Sequence, residues 1–169
     1  MDKTKIITNR ATLTLLELND FEDMLSLFLE KDMFKYISPH KDKSREERLE
    51  FLNLKLTDNK SGRGYYWVAR DSKSNDLIGA INLTPIPESN DLQIGWMISN
   101  AYRGKGMATE LAQAAKNFFI ENLNTDHIFA VFEEGNIASE KIIKKLNFKP
   151  HKTFKEDETT IVHTWILKK

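Results

Sequence analysis

Tyr102-Arg103-Gly104-Lys105-Gly106-Met107-Ala108-Thr109 follows a strand-like run and opens a long amphipathic helix, and its reading decides the fold. Two closely spaced glycines let a backbone turn tightly and approach a ligand. The first N–H groups of the helix behind them are donors without intrahelical acceptors, backed by the positive end of the helix dipole. Arg103 and Lys105 add two cations, so the stretch reads as a cradle for phosphate. An ordinary basic strand-to-helix turn has the same composition, and the segments around it must decide.

Upstream, Leu92, Ile94, Trp96 and Ile98 alternate as a strand that delivers the chain to the glycine loop. Downstream, Leu111, Ala114, Ala115, Phe118 and Phe119 lie on one helical face, giving a helix from about Gly104 to Asn122 that covers a sheet. His127 to Glu133 reads as the next strand, and strand, helix and strand form a βαβ unit with parallel strands. The glycine loop then lies at the C-terminal end of its strand, where ligands bind in such units.

Further out, residues 5 to 18 read as one or two strand segments. Asn19 with Glu22 caps a helix whose apolar face is Phe21, Met24, Leu25, Phe28 and Leu29. Ser44 and Glu47 form a second capping box before a helix carrying Leu49, Leu52 and Leu56, which fades near Asn59. Tyr65–Arg70 and Leu77–Ile86 pair as a hairpin ahead of the Leu92 strand. Asn136 caps a last helix with Ile142, Ile143 and Leu146 inward, and Asn147 takes the left-handed position after it. Phe148–Phe154 and Thr160–Leu167 form a terminal hairpin around Lys155-Glu156-Asp157-Glu158. The fold class is α+β, with one domain expected over residues 1–169.

Lysine plus arginine and aspartate plus glutamate are both 25, so no global field recruits nucleic acid or an anionic membrane, and any anion site is local. Neither a long apolar run nor a signal-peptide pattern behind Met1 is present, and the expected location is the cytoplasm. The lack of cysteine removes disulfides, thiolate metal sites and a cysteine nucleophile. His40, His127, His151 and His163 show no metal-ligand spacing, so no metal is expected. A P-loop NTPase requires Gly-x-x-x-x-Gly-Lys-Ser/Thr, which neither glycine stretch satisfies. The dinucleotide fingerprint belongs after the first strand, whereas this loop comes late and Met107-Ala108-Thr109 breaks the pattern.

Arg103-Gly104-Lys105-Gly106-Met107-Ala108 resembles the Arg/Gln-x-x-Gly-x-Gly/Ala motif of the GNAT acetyltransferase superfamily, which binds the pyrophosphate of acetyl-CoA. Ile94-Gly95-Trp96-Met97-Ile98, Asn136-Ile137-Ala138-Ser139 and Lys145-Leu146-Asn147-Phe148 are similar to the RimJ/RimL-type branch, whose members acetylate protein N-termini. The resemblance spans nearly the whole chain in order. It implies a GNAT-like mixed, mostly antiparallel sheet of about seven strands and about four helices, with a parallel pair splayed at the cofactor site. The activity it implies is acetyl transfer from acetyl-CoA directly to a primary amine, most of all a protein N-terminal α-amine. The alternatives are acetylation of a small amine, such as a polyamine or an antibiotic, and a catalytically weak CoA-binding module.

On the same resemblance, backbone groups near Trp96, Met97 and Ile98 hold the pantetheine arm, and one N–H polarises the thioester carbonyl. Amides from Arg103, Gly104, Lys105, Gly106, Met107 and Ala108 take the diphosphate, and Lys141 meets the 3′-phosphate. Asn136 bonds the pantetheine arm besides capping its helix. Ser139 orients or protonates the departing thiolate; other branches place a Tyr one residue later, where this chain has Glu140. Many relatives have Glu where this chain has Gln93, which cannot accept a proton. Glu133 or Glu134 is then the candidate general base. Tyr36 and His40 line the acceptor cleft. The partners implied are an amine substrate and either a monomer or a homodimer.

Overall fold

The computed structural model describes residues 3–169; Met1 and Asp2, where the expected domain begins, lie outside the described residues. Eight strands form one sheet in the order β1-β2-β3-β4-β5-β6-β8-β7. The strands are β1 (Ile6–Ile7), β2 (Ala11–Leu15), β3 (Tyr65–Asp71), β4 (Leu77–Pro85), β5 (Leu92–Ile98), β6 (His127–Glu133), β7 (Lys149–Lys155) and β8 (Ile161–Lys168). The helices are α1 (Phe21–Phe28), α2 (Arg45–Ser61), α3 (Met107–Asn122) and α4 (Ile137–Lys145). The sheet has one strand more than expected because the N-terminal segment folds back at Asn9-Arg10 and pairs with itself.

Two apolar layers sandwich this sheet. On β3, Trp67 and Ala69 face the layer of α3 and α4, with Leu111, Ala115 and Phe119 of α3. Tyr66 and Val68 face the opposite layer with Met24 and Phe28 of α1 and Leu52 of α2. The period of two in a strand thus feeds both cores, which is why Tyr66 to Ala69 are all buried without a polar alternation.

Local signals set most boundaries. The Ser44 hydroxyl accepts from Glu47 N (3.1 Å) and the Glu47 carboxylate accepts from Ser44 N (2.7 Å), closing the expected capping box at the start of α2. That helix runs two residues past Asn59 to Ser61 and stops at the left-handed Gly62. Asn147 has φ 68°, as its place after α4 requires. Asn19 does not cap α1: it lies within a 3-10 turn, Leu18–Asp20, and Asp20 instead accepts from Glu17 N (3.0 Å). Glu22 is paired with Arg45 (2.6 Å) rather than reaching back, and Leu29 is exposed because α1 ends at Phe28. α3 begins at Met107, three residues later than expected, since Gly104 and Gly106 both have positive φ and cannot be helical. Ala112 is fully buried, whereas Ala114 is half-buried.

One feature of the sheet positions the site. β5 and β6 are parallel but pair only at Gln93 with Phe129 and Ile94 with Ala130. Beyond that, β5 remains zipped to β4 as far as Ile98 with Gly79, and β6 to β8 as far as Glu133 with Val162. The two halves of the sheet therefore diverge, and the facing edges of β5 and β6 run on without a strand partner.

Candidate active site

The divergence opens into a cavity of about 510 Å³. Its sheet side is made by Gln93, Gly95, Trp96 and Met97 of β5 and Val131 and Glu133 of β6; the start of α4 contributes Asn136 and Ser139. The segment between α1 and α2 closes the other side with Tyr36 and His40, both expected there.

Asn136 caps α4, its Oδ1 accepting from Ser139 N (3.2 Å). A cap uses the carbonyl end of an amide only. Among the described residues its NH2 and the Ser139 hydroxyl have no protein partner, and both residues line the cavity. Glu133 Oε1 accepts from Ser38 N (2.5 Å), which anchors the α1–α2 segment over the cavity and leaves Oε2 for another donor. Glu134, the other candidate base, is exposed, lies 3.8 Å from His163 and does not line the cavity. Gln93 is half-buried in the cavity wall.

The glycine loop sits where β5 ends. Gly104 (φ 71°) and Gly106 (φ 78°) are left-handed; a Cβ on Gly104 would meet nothing within 4 Å, and one on Gly106 only Arg10 Nη2 at 3.7 Å. The first bond of α3 runs from Glu110 N to Gly106 O (3.1 Å), so the N–H groups of Met107, Ala108 and Thr109 precede the ladder and carry the positive helix end. The two expected cations each bond a backbone carbonyl. Arg103 donates from Nε to Ile98 O (3.0 Å) and its Nη2 lies 3.7 Å from Met33 Sδ, so it fastens the loop to β5 and to the α1–α2 segment. Lys105 folds back onto Ala101 O (2.7 Å). Ile98 and Met107 are buried in the core, and with Arg103–Ala108 they lie outside the cavity lining. Lys141 is exposed on α4 and does not line it either.

Arg10 is the loop residue that the sequence does not reveal. From the β1–β2 turn it donates to Lys105 O (2.8 Å) and pairs with Glu110 Oε2 (2.7 Å). Burial works against ionisation of Glu110, but hydrogen bonds from the Thr8 hydroxyl and from Arg10 outweigh it and hold this carboxyl below its usual range. The carboxylate thereby clamps an arginine beside Gly106. The only hint in sequence is the acid in the first turn of α3.

Sequence reasoning also misses Lys55 and Tyr66, which meet at the cavity's far wall. Burial lowers the Lys55 ammonium from its ordinary value, with Asp58 opposing the shift. Burial pushes the Tyr66 phenol up, so it stays protonated and can donate. His40 is lowered by burial and then by the charges of Lys55, Lys43 and Arg48, which keeps its ring neutral near pH 7. Among the described residues no group of three or more metal-binding side chains exists, and no helix is long and apolar enough to cross a membrane.

Two diverging strand edges, an open row of N–H donors at a helix start and two glycines with free faces suit an extended ligand that carries phosphates at one end. Comparison with known proteins agrees with that geometry. The family described as "Acetyltransferase (GNAT) domain" matches residues 10–149. The chain is similar to the uncharacterized protein YkkB of Bacillus subtilis, with 28% identity over 157 residues, 91% of this chain and 90% of that protein. Its fold is similar to an acetyltransferase of Salmonella typhimurium that modifies the N-terminal serine of ribosomal protein L7/L12, with a TM-score of 0.81, 14% identity and 96% of each chain covered. It is similar in the same way to a spermidine N-acetyltransferase of Vibrio cholerae in complex with CoA and spermine, with a TM-score of 0.78, 21% identity and 94% and 95% covered.

Proposed function

The chain belongs to the GNAT acetyltransferase family and takes its acetyl group from acetyl-CoA, and we propose that its acceptor is the α-amine of a protein N-terminus. The observation that carries this reading is the character of the cavity. Tyr36, Pro39, Phe51, Ile86, Pro87 and Phe154 make its acceptor side broad and apolar, suited to the first side chains of an extended peptide. A polyamine presents several ammonium groups and needs a matching set of carboxylates. Among the described residues the carboxylates that line this cavity are Glu133 and Glu156, and Lys55 lines it with the opposite sign.

Acetyl-CoA supplies a thioester whose acetyl carbon accepts the amine. The unpaired edge of β5 at Trp96, Met97 and Ile98 takes its pantetheine arm as an added strand, with an N–H there aimed at the carbonyl oxygen, where negative charge grows. The loop from Arg103 to Ala108, backed by Arg10, takes the diphosphate, and Lys141 at the outer rim takes the 3′-phosphate. The Asn136 NH2 bonds the arm while its carbonyl caps α4. Free Oε2 of Glu133 receives the proton of the attacking amine as the C–N bond forms, and the Ser139 hydroxyl donates a hydrogen bond to sulfur as the C–S bond breaks, so that CoA leaves as a thiolate that takes its proton from water.

Thiol release from acetyl-CoA, measured against N-terminal peptides, spermidine and aminoglycosides, tests the reading. Turnover is expected on the peptides. Turnover confined to spermidine or aminoglycosides refutes the acceptor, and CoA binding without turnover on any acceptor refutes the enzyme.

A further inference from the structure

We propose that the acceptor carries a carboxylate a few bonds from its reactive amine, held by Lys55, Tyr66 and His40 at the α2 side of the cavity. This rests on the acetyltransferase reading above and narrows its substrate class.

The three groups converge on one ring, Phe51. Lys55 Nζ lies 5.3 Å from its centroid, the His40 ring 4.7 Å and the Tyr66 ring 6.0 Å. All four residues line the cavity. The helix period explains the pairing of Phe51 with Lys55, and Tyr66 enters from the adjacent β3 on the face that looks toward α1 and α2.

Lys55 and Tyr66 are donors at this wall, and neither is well satisfied. Tyr66 is 1% exposed, and among the described residues its hydroxyl has no hydrogen-bond partner. A buried hydroxyl left unpaired forgoes the hydrogen bonds it makes in water when the chain is unfolded. The Lys55 side chain is 13% exposed, and its nearest carboxylate oxygen, on Asp58, stands 3.9 Å away. That carboxylate is already committed through Oδ1 to Arg63 Nη2 (2.8 Å). A desolvated ammonium at this distance from a shared carboxylate is poorly compensated. His40 stacks on Phe34 with 5.5 Å between centroids, which fixes the ring beside the cavity.

A weakly compensated ammonium beside an orphan hydroxyl at a single wall forms a site for an anion. The carboxylates of the cavity, Glu133 and Glu156, come instead from the end of β6 and the β7–β8 turn. The cavity is therefore bipolar, with Glu133 toward the amine and Lys55 with Tyr66 toward the acid. A carboxylate planted on them satisfies the orphan hydroxyl and the ammonium together, whereas a second ammonium on the acceptor meets Lys55 as a like charge. Such a carboxylate belongs either to an acidic residue at the start of a peptide or to a free amino acid, and the chemistry of capture is the same.

The test is kcat/KM with acetyl-CoA for short peptides identical except for Glu, Gln or Lys at the first or second residue, with free L-glutamate and spermidine alongside. The Glu peptide is expected to exceed its Gln counterpart by at least about tenfold and the Lys peptide by more. In Lys55→Met the Glu-to-Gln ratio falls to about one, Lys55→Arg retains most of it, and Tyr66→Phe lowers it without removing it. Equal rates on Glu and Gln peptides, or a preference that survives in Lys55→Met, overturn the carboxylate site and leave the N-terminal reading standing. Turnover of free L-glutamate with none of the peptides supports the carboxylate site and overturns the protein acceptor. Preference for spermidine, or no turnover on any of these, overturns both.

Discussion

Replacement of Gly106 by alanine separates what the glycine loop does for the fold from what it does for the ligand. Gly106 has φ 78° at the start of α3, and alanine there carries a left-handed strain of about 1 kcal/mol. For a chain of 169 residues the unfolding entropy is roughly 0.35 kcal/mol per kelvin, so that strain lowers Tm by about 3 °C. The new Cβ is sterically permitted, since its nearest neighbour is Arg10 Nη2 at 3.7 Å. It stands between that guanidinium and the open N–H groups of the helix start, in the space a phosphate oxygen would take. Loss of one charge-assisted hydrogen bond, about 1.5–3 kcal/mol, raises the dissociation constant for CoA by about 10- to 100-fold. Gly62 supplies the control: φ 69°, no atom within 4 Å of a Cβ, and a place at the end of α2 away from the loop. Gly62→Ala should match the fall in Tm and leave CoA affinity within about twofold. Calorimetric titration with CoA and thermal unfolding of both variants decide the matter. If Gly106→Ala loses stability and binds CoA like Gly62→Ala, the loop is a turn and not a phosphate site.

Ser139→Ala should lower kcat by about 10- to 100-fold with the KM for acetyl-CoA within about twofold, because its hydroxyl has no structural partner; steady-state kinetics with a reactive acceptor checks this. Glu133→Gln keeps an oxygen to accept from Ser38 N, so Tm should hold while kcat falls by at least about tenfold; an unchanged kcat removes Glu133 as the base. His127 bonds Asp126 (2.5 Å) and Asp91 (3.1 Å), which raise its imidazolium above the ordinary range. Its contribution is therefore complete below about pH 6.5 and disappears as pH rises through the elevated folded value, so Tm should decline as pH rises above about 6.5. His127→Gln should flatten that decline, and NMR titration of the ring should locate the midpoint.

Local chemistry made much of the fold legible. The Ser44–Glu47 box, Asn136 as a cap, Asn147 in the left-handed position and the hairpin around Glu156 each rest on a few adjacent residues, and all stand in the structure. The failures also have local causes. Leu29 keeps the helical period, yet α1 has already tightened into turns, and Gly104 reads as helix only if its positive φ is ignored. What sequence spacing could not reach is long-range. Arg10 meets Glu110 across a hundred positions, and Lys55, His40 and Tyr66 join around Phe51 from a helix, a turn and a strand. No periodicity within any one segment encodes those meetings. Glu133 was separable from Glu134 only once Ser38 and the cavity wall were in view.

The short pairing of β5 with β6 leaves the middle of the sheet joined by its weakest seam. Only two residue pairs join the sheet at that seam, so an arm bound along it completes a ladder the chain leaves unfinished. A ligand that binds the native state alone stabilises it by mass action, about 2.7 kcal/mol when its concentration is a hundred times its dissociation constant. Depletion of the donor would then loosen the seam first, exposing β6 to amide exchange and proteolysis while β2–β4 stay protected.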